Sequence, residues 1–285
     1  MSLTLLAIFA HPDDESGCSG TLAMAVARGW RVVFACATRG EEGEIADPVL
    51  ATQENLWQVR EREMRCALKV LGIDEVYFLD YCDSGMAGTP PNDNPKSFMQ
   101  ADPEMIHRQL VQLIRDIKPH TILTFEPYGV YGHPDHIAIS KFTTDAFDLA
   151  GQSGAFPETG DPWQAQRLFY MAMSIDWFER VRDLMSMMNL DTSGFENLAQ
   201  YLKPALDRQI SHRLDVSEFV PRKMESLSCH RTQIGPNSAF YHLMKSEFHA
   251  LHREESFIQV RPASPILDFF GLDESDNKYF QLNET

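Results

Sequence analysis

Two short stretches of the chain concentrate groups that can hold a metal ion or move protons. The first is AHPDDE, Ala10 to Glu15, in which one imidazole and three carboxylates follow the apolar run LTLLAIF; the second is HPDH, His133 to His136, which follows TILTFEP. Charges at the end of a buried strand are costly unless something pairs or ligates them. In each stretch a proline falls near the first helical position, where its missing N–H costs nothing, and the residues three apart (His11 with Asp14, His133 with His136) turn toward a common point. One imidazole and one carboxylate from the first loop, with one imidazole from the second, make a three-ligand site with a fourth position for water. Catalytic zinc centres have that form, whereas structural ones are closed and usually rich in thiolate. Either histidine of the second stretch would serve. A helix cap in solvent would explain one such stretch, but it explains two of them on the same edge poorly.

Two loops meet only if a scaffold brings them together, and the hydrophobic pattern supplies one. LTLLAIFA is followed by SGTLAMAVARGW, RVVFACAT by NLWQVREREMRCALKVLG, EVYFLD by PEMIHRQLVQLIRDIKP, and TILTFEP by DHIAISKFTTDAFDLA. This alternation predicts an α/β fold, a Rossmann-like and mostly parallel sheet with helices on both faces. Gly29, Gly72 and Pro119 stand where the first three helices should stop. Both HPD stretches then lie at the carboxyl ends of strands, the edge at which such sheets bind ligands. Beyond Gly151 the pattern loosens into the loop GQSGAFPETGDP, a fifth strand RLFYMAMS, helices at WFERVRDLMSMMNL and VPRKMESLSCHRTQ, and a closing strand within FHALHREESFIQVRP. The expectation is one domain over residues 1–285, with a core at 1–150 and a C-terminal portion at 151–285 that packs around the sheet and shapes the substrate pocket. Gly17 to Gly20 lacks the G-x-G-x-x-G order, so no dinucleotide is expected.

Composition bounds the partners. A net charge of -16 argues against nucleic acid, whose phosphates need a positive footprint. No run of 18 apolar residues predicts a membrane span, and the N-terminus has neither a basic region nor a cleavage site of the secretory kind. The five cysteines are odd in number and unclustered, which suits unpaired thiols in a reducing, cytoplasmic compartment. A small-molecule ligand fits this picture, and the composition is equally compatible with a monomer or a homo-oligomer.

AHPDDE at 10–15, TRGEEGE at 38–44, REREMRCALKVLG at 60–72, YGHPDH at 131–136 and CHRTQ at 229–233 closely resemble motifs of the zinc-dependent LmbE-like (PIG-L) N-acetylglucosaminyl de-N-acetylases. DSGMAGTPPND, Asp83 to Asp93, resembles the branch that deacetylates GlcNAc-inositol in mycothiol synthesis or cleaves mycothiol conjugates. Residues 151–220 carry no motif of the family. The resemblance implies His11, Asp14 and His136 as ligands of Zn²⁺, a set that Fe²⁺ also suits. It implies Asp13 as the general base toward a metal-activated water, and His133 as the group that stabilises the oxyanion, with Asp135 orienting its ring and favouring its charged form. Tyr131 resembles a tyrosine that swings onto the same oxyanion, and Arg39 a substrate-binding arginine.

Other residues are read from their own context. Asp83, after the third strand, is an acceptor suited to sugar hydroxyls, unless it caps its own turn. Arg60 and Glu63 are three apart on a helix and predict an ion pair. Glu41, Glu42 and Glu44 read as a solvated rim, in which Glu41 could also hold Arg39 or a backbone turn. His230 with Gln233 either closes the pocket or is a satisfied core histidine. MSMMNL reads as core or lid, and His249 and His252 as surface. The function expected is a metal-dependent hydrolase that removes acetate from an N-acetylglucosamine-containing substrate. An amidase of a thiol-sugar conjugate on the same fold is the alternative. A metal-dependent sugar-binding protein without turnover is another, but it would have no use for Asp13.

Overall fold

The computed structural model describes residues 3–190, 192–193, 207–235, 241, 244, 246–271 and 280–282. Its strands are β1 (Thr4–Phe9), β2 (Arg31–Cys36), β3 (Glu75–Phe78), β4 (Thr121–Phe125), β5 (Arg167–Ala172), β6 (His212–Asp215), β7 (Glu254–Arg261) and β8 (Phe280–Leu282), joined in one sheet of order β3-β2-β1-β4-β5-β7-β6-β8. The first five strands pair in parallel, with Leu6 opposite both Val33 and Ile122. Every residue of β1 and β4 is buried. Strands covered on both faces need no polar alternation, which is why they read as continuous apolar runs.

The longer helices are α1 (Ser19–Ala27), α2 (Leu56–Leu71), α3 (Pro103–Ile117), α5 (Pro134–Ala150), α6 (Ile175–Met187) and α7 (Val220–Leu227), and α4 (Gly129–Gly132) is a single turn. α1, α2 and α7 pack together, and α3 packs on α5. That division follows from right-handed crossovers, because the chain steps one way from β1 to β3 and the other way from β3 to β5. Gly72 caps α2 with a left-handed φ of 85°, and Lys118 ends α3 just before Pro119. The Gly/Pro loop after α5 is stitched down by Arg115, which is buried and donates to the carbonyls of Ala150, Gln152, Ala155, Phe156 and Gly160.

The expected strands and helices are present, with additions at the far edge. β7 runs antiparallel to β5, and β6 and β8 extend the sheet beyond it, also antiparallel. Neither β6 nor β8 carries a run long enough to be read from sequence. α7 stops at Leu227 instead of continuing through CHRTQ, since His230 and Thr232 turn inward to buried partners. Met185 belongs to the core while Met187 is exposed, so MSMMNL divides between the two readings.

Further expectations fail here. Cys66 and Cys229 form a disulfide with Cα atoms 5.9 Å apart, bridging a sequence separation of 163 because α2 and α7 are packed neighbours. Cys18, Cys36 and Cys82 are free thiols. His252 is buried and not on the surface, with its ring 6.4 Å from that of Trp177. Among the described residues no helix is long and apolar enough to cross a membrane.

Candidate metal centre and active site

β1 and β4 are neighbours, but the chain leaves β1 toward β2 and β4 toward β5, so their outgoing loops diverge and open a crevice at the carboxyl ends. AHPDDE lines one wall. Asp13 adopts φ 104° and ψ −15°, a left-handed conformation that costs a residue other than glycine about 1–3 kcal/mol, and a 3-10 turn at Asp14–Gly17 delays the start of α1. YGHPDH forms the other wall. Here Glu126 accepts the N–H groups of Tyr128 and Val130, each at 2.6 Å, and folds the chain back over α5. Gly129 is required at that fold: its φ is 64°, and a Cβ would stand 2.5 Å from the Cβ of His136. His133 caps α5 by accepting the Asp135 N–H on Nδ1 at 3.2 Å, with Pro134 at the first turn.

The two walls bring His11, Asp14 and His136 together. His11 Nδ1 lies 3.0 Å from His136 Nε2, His136 Nε2 lies 3.3 Å from Asp14 Oδ1, and His11 Nδ1 lies 3.8 Å from Asp14 Oδ2. Donors about 2.0–2.2 Å from one tetrahedral ion stand about 3.3–3.6 Å apart, and these contacts, with Asp14 Oδ1 toward His136 and Oδ2 toward His11, bracket that spacing. Each donor is also held from behind, as metal ligands characteristically are. His136 Nδ1 donates to the Gly129 carbonyl at 3.2 Å, Asp14 Oδ2 accepts the N–H groups of Ala10 and His11 at 3.0 and 2.7 Å, and His11 Nε2 donates to Asp135 Oδ2 at 3.2 Å. Burial works against the Asp14 charge, yet His136 and His11 outweigh it and keep the carboxyl well below the usual range. Among the described residues the groups of three whose ligand atoms all converge are His11 with His133 and His136, and His11 with Asp83 and Asp135, and Asp14 stands beside the first of them. A His/Asp cluster suited to a metal ion therefore sits in the crevice.

Around it lie the remaining groups of both motifs. The Asp13 side chain is 30% exposed, and Arg60 Nη2 donates to its Oδ2 at 3.0 Å. Burial raises its carboxyl above the ordinary value against the pull of Arg60. His133 carries its proton on Nε2, because Nδ1 is an acceptor. Burial, with His11 and His136 nearby, pushes it down to about 4, so it is neutral near pH 7. This corrects the expected relation to Asp135: that carboxylate is turned to His11 Nε2 and the Ser84 N–H, and only its backbone reaches His133. Asp135 and Asp83 still favour the charged form of His133 through space, but burial and the two histidines outweigh them. The Tyr131 ring stands 4.9 Å from His136, and burial together with Asp14 and Asp13 holds its phenol well above the usual value.

Asp83 is buried, its Oδ1 accepts the Gly85 N–H at 2.8 Å and stands 3.5 Å from His11 Nε2, and its Oδ2 is 3.4 Å from the Glu42 N–H. It caps its own turn and faces the histidines at once. Glu41 accepts the Asp83 N–H, the backbone-turn option, while Glu42 and Glu44 are exposed as expected of a rim. Arg39 stands apart from the cluster. It is bound through Nε to Glu61 and through Nη1 to Asp80, with its guanidinium 4.4 Å from the Phe78 ring centroid.

With this geometry in hand, similarity becomes informative. The family model described as GlcNAc-PI de-N-acetylase (PIG-L) matches residues 6–147. The 1D-myo-inositol 2-acetamido-2-deoxy-alpha-D-glucopyranoside deacetylase of Rhodococcus jostii strain RHA1 is 34% identical over 94% of this chain and 94% of its own. The protein of the same name from Thermobifida fusca is 32% identical over 92% of this chain and 94% of its own. The chain belongs to the PIG-L de-N-acetylase family. It is an enzyme, a deacetylase that hydrolyses an N-acetyl amide. The N,N'-diacetylchitobiose deacetylase of Pyrococcus horikoshii shares the fold at a TM-score of 0.65 and 16% identity, over 91% of this chain and 84% of that one. So does the 4-carboxy-2-hydroxymuconate hydratase of Pseudomonas putida KT2440, at 0.62 and 17%, over 93% and 98%. The fold alone thus admits more than one reaction.

Several residues of this de-N-acetylase escape sequence reasoning. Arg60 and Glu63 do not pair with each other. Arg60 donates to the carbonyls of Gly40 (2.7 Å) and Pro12 (2.5 Å) besides Asp13, while Glu63 accepts the Thr232 N–H and hydroxyl at 2.8 and 2.6 Å. The signal was available: both fall on the buried stripe of α2 with Leu56, Met64, Ala67 and Leu71, where a charge must have a partner inside. Glu15 and His230 meet across the core, so His230 does not close the pocket. Gln233 reaches the Glu44 carbonyl instead. A cavity of about 130 Å³ opens between the AHPDDE turn and the C-terminal portion, lined among others by Gly17, Val130, Met171, Trp177 and Leu227.

Proposed function

We propose that this PIG-L deacetylase removes acetate from a GlcNAc-inositol-type glycoside, with Zn²⁺ held by His11, Asp14 and His136 and Asp13 as general base. The observation that carries the reading is the meeting of His11 Nδ1, His136 Nε2 and the Asp14 carboxylate at 3.0–3.8 Å, each oriented from behind, with the partly exposed Asp13 carboxylate next in the chain. When bound, a divalent ion supplies Lewis-acid polarisation of the acetamide carbonyl and acidifies water. Asp13, anchored by Arg60, takes a proton from the attacking water and returns it to the amine that leaves. A positioned carboxylate supplies about 10²- to 10⁴-fold in such a transfer. His133 donates its Nε2–H to the carbonyl oxygen as that oxygen gains charge, and a neutral imidazole suffices for this. The Tyr131 hydroxyl, kept protonated by its surroundings, acts on the same oxygen.

Asp135 serves through His11, whose ring it holds, and Asp83 stands between His11 and His133 at 3.5 and 3.8 Å, rather than on the sugar. Arg39 has Nη2 left for an aglycone hydroxyl at the edge of the crevice. The C-terminal portion completes a single domain and supplies most of the neighbouring cavity wall. Fe²⁺ suits the same donors. The cytoplasm is the location we propose, on the three free thiols Cys18, Cys36 and Cys82 and against the single Cys66–Cys229 bond. The test is turnover: metal-loaded protein should release acetate from GlcNAc-inositol, and Asp13→Asn should keep its metal while kcat falls by about 10² or more. Cleavage of an S-conjugate with no acetate release from GlcNAc-inositol would transfer the assignment to the amidase alternative.

A further inference from the structure

The Asp13 backbone is held in a left-handed conformation, and two buried groups behind it are placed to impose that conformation. The Asp13 N–H donates to Glu15 Oε2 at 3.1 Å, and the other oxygen of the same carboxylate accepts from His230 Nε2 at 2.5 Å. Both Glu15 and His230 have no exposed surface. Glu15 is otherwise the third carboxylate of AHPDDE with no part in the reaction, and His230 belongs to CHRTQ, a motif that the proposed function does not use. The two lie 215 residues apart in sequence. Among the described residues His230 Nδ1 has no hydrogen-bond partner, an uncommon condition for a buried ring that merely fills a core.

The connection is reinforced from outside. Cys229, next to His230, is bonded to Cys66 of α2. That helix also carries Arg60, which holds the Asp13 side chain. Backbone and side chain of Asp13 are thus gripped by two arms that are covalently tied to each other. Burial opposes a proton on His230, but Glu15 outweighs it and keeps the imidazole above its ordinary value, so the contact is charge-assisted.

We infer that Glu15 and His230 are positioning residues of the deacetylase, which hold the Asp13 peptide in its left-handed conformation so that the carboxylate meets the reacting water. The inference rests on the reading of Asp13 as the base. Because neither residue touches metal or substrate, their loss should lower kcat and leave KM and metal content in place.

The experiment compares wild type with His230→Ala, His230→Gln, Glu15→Gln and Asp13→Asn, and with the double variant His230→Ala/Asp13→Asn, all loaded with Zn²⁺ and assayed for acetate release from GlcNAc-inositol. His230→Ala should lower kcat about 10-fold or more with KM within about twofold. His230→Gln, whose amide can still donate to Glu15, should recover most of the loss. In the Asp13→Asn background the further effect of His230→Ala should vanish, since residues acting through one another are not additive. Hydrogen exchange of the Asp13 amide, read by mass spectrometry on a peptide spanning residues 10–15, should quicken in His230→Ala and return in His230→Gln. Should His230→Ala fail to fold, Glu15→Gln and His230→Gln carry the comparison, with Glu15→Gln expected to lower kcat and quicken the same exchange. Unchanged kcat and unchanged exchange in the folded variants, or a full additional loss on top of Asp13→Asn, overturns the positioning role. Near wild-type turnover by Asp13→Asn itself overturns instead the reading on which the role rests.

Discussion

Replacing Asp135 separates two accounts of the histidine cluster. Its carboxylate is fully buried and accepts from His11 Nε2 at 3.2 Å and from the Ser84 N–H at 3.0 Å, whereas only its backbone N–H contacts His133. Asp135→Ala therefore leaves the cap on His133 intact and removes the hydrogen bond that fixes the His11 ring. A hydrogen bond to a charged group contributes about 1.5–3 kcal/mol, one to two decades in an equilibrium constant. Asp83 Oδ1, 3.5 Å from the same nitrogen, partly substitutes and pulls the effect toward the lower end. Zinc affinity should thus fall about 10-fold, and about 100-fold when Asp83→Ala is added, the range found when a carboxylate behind a ligating histidine is lost. Asp135→Asn, which keeps an acceptor, should fall between wild type and Asp135→Ala. The assay is competition for Zn²⁺ with a chromogenic chelator at fixed pH. Affinity within twofold of wild type, with kcat alone reduced, would refute the geometry and return Asp135 to a role on His133.

Asp14→Ala and His136→Ala should each lose most of the bound metal by elemental analysis, because a three-ligand site tolerates no deletion well. Arg39→Ala should lower kcat/KM on GlcNAc-inositol by about 10-fold with metal retained, and less on a monosaccharide, where no aglycone is read; equal effects on both would remove Arg39 from the aglycone. Arg115→Ala should cost about 3 kcal/mol of stability in a denaturant titration, since several carbonyls of the loop after α5 lose their common donor. His212 is held below its ordinary pKa by burial. The unfolded chain then binds more protons as pH falls below about 6.5, so the wild type should lose stability on acidification from about pH 6.5 toward the folded-state pKa. His212→Gln should show a shallower loss over the same interval in parallel denaturation curves.

The chemistry of the site was legible because it is written locally. HPD at two strand ends, proline at the first turn and the strand–helix alternation depend on residues within a few positions of one another, and neighbouring parallel strands then carry the two loops to one crevice. The buried runs of β1 and β4 announced themselves for the same reason. What could not be read is contact between distant segments. How His133 and His136 are each set against His11 depends on the fold of Gly129 over α5, and the turning of Asp135 to His11 depends on the loop after β3 that presents Ser84 and Asp83. The same holds for Arg60 reaching Asp13, for Glu63 reaching Thr232, for His230 reaching Glu15 and for the Cys66–Cys229 bond. In the three polar pairs the residue type demands a partner, since a buried charge left unpaired is costly. Which partner it takes is decided by the packing of α2 and α7 beside the sheet, because spacing along a helix or strand constrains only neighbours, and these pairs lie 47 to 215 residues apart.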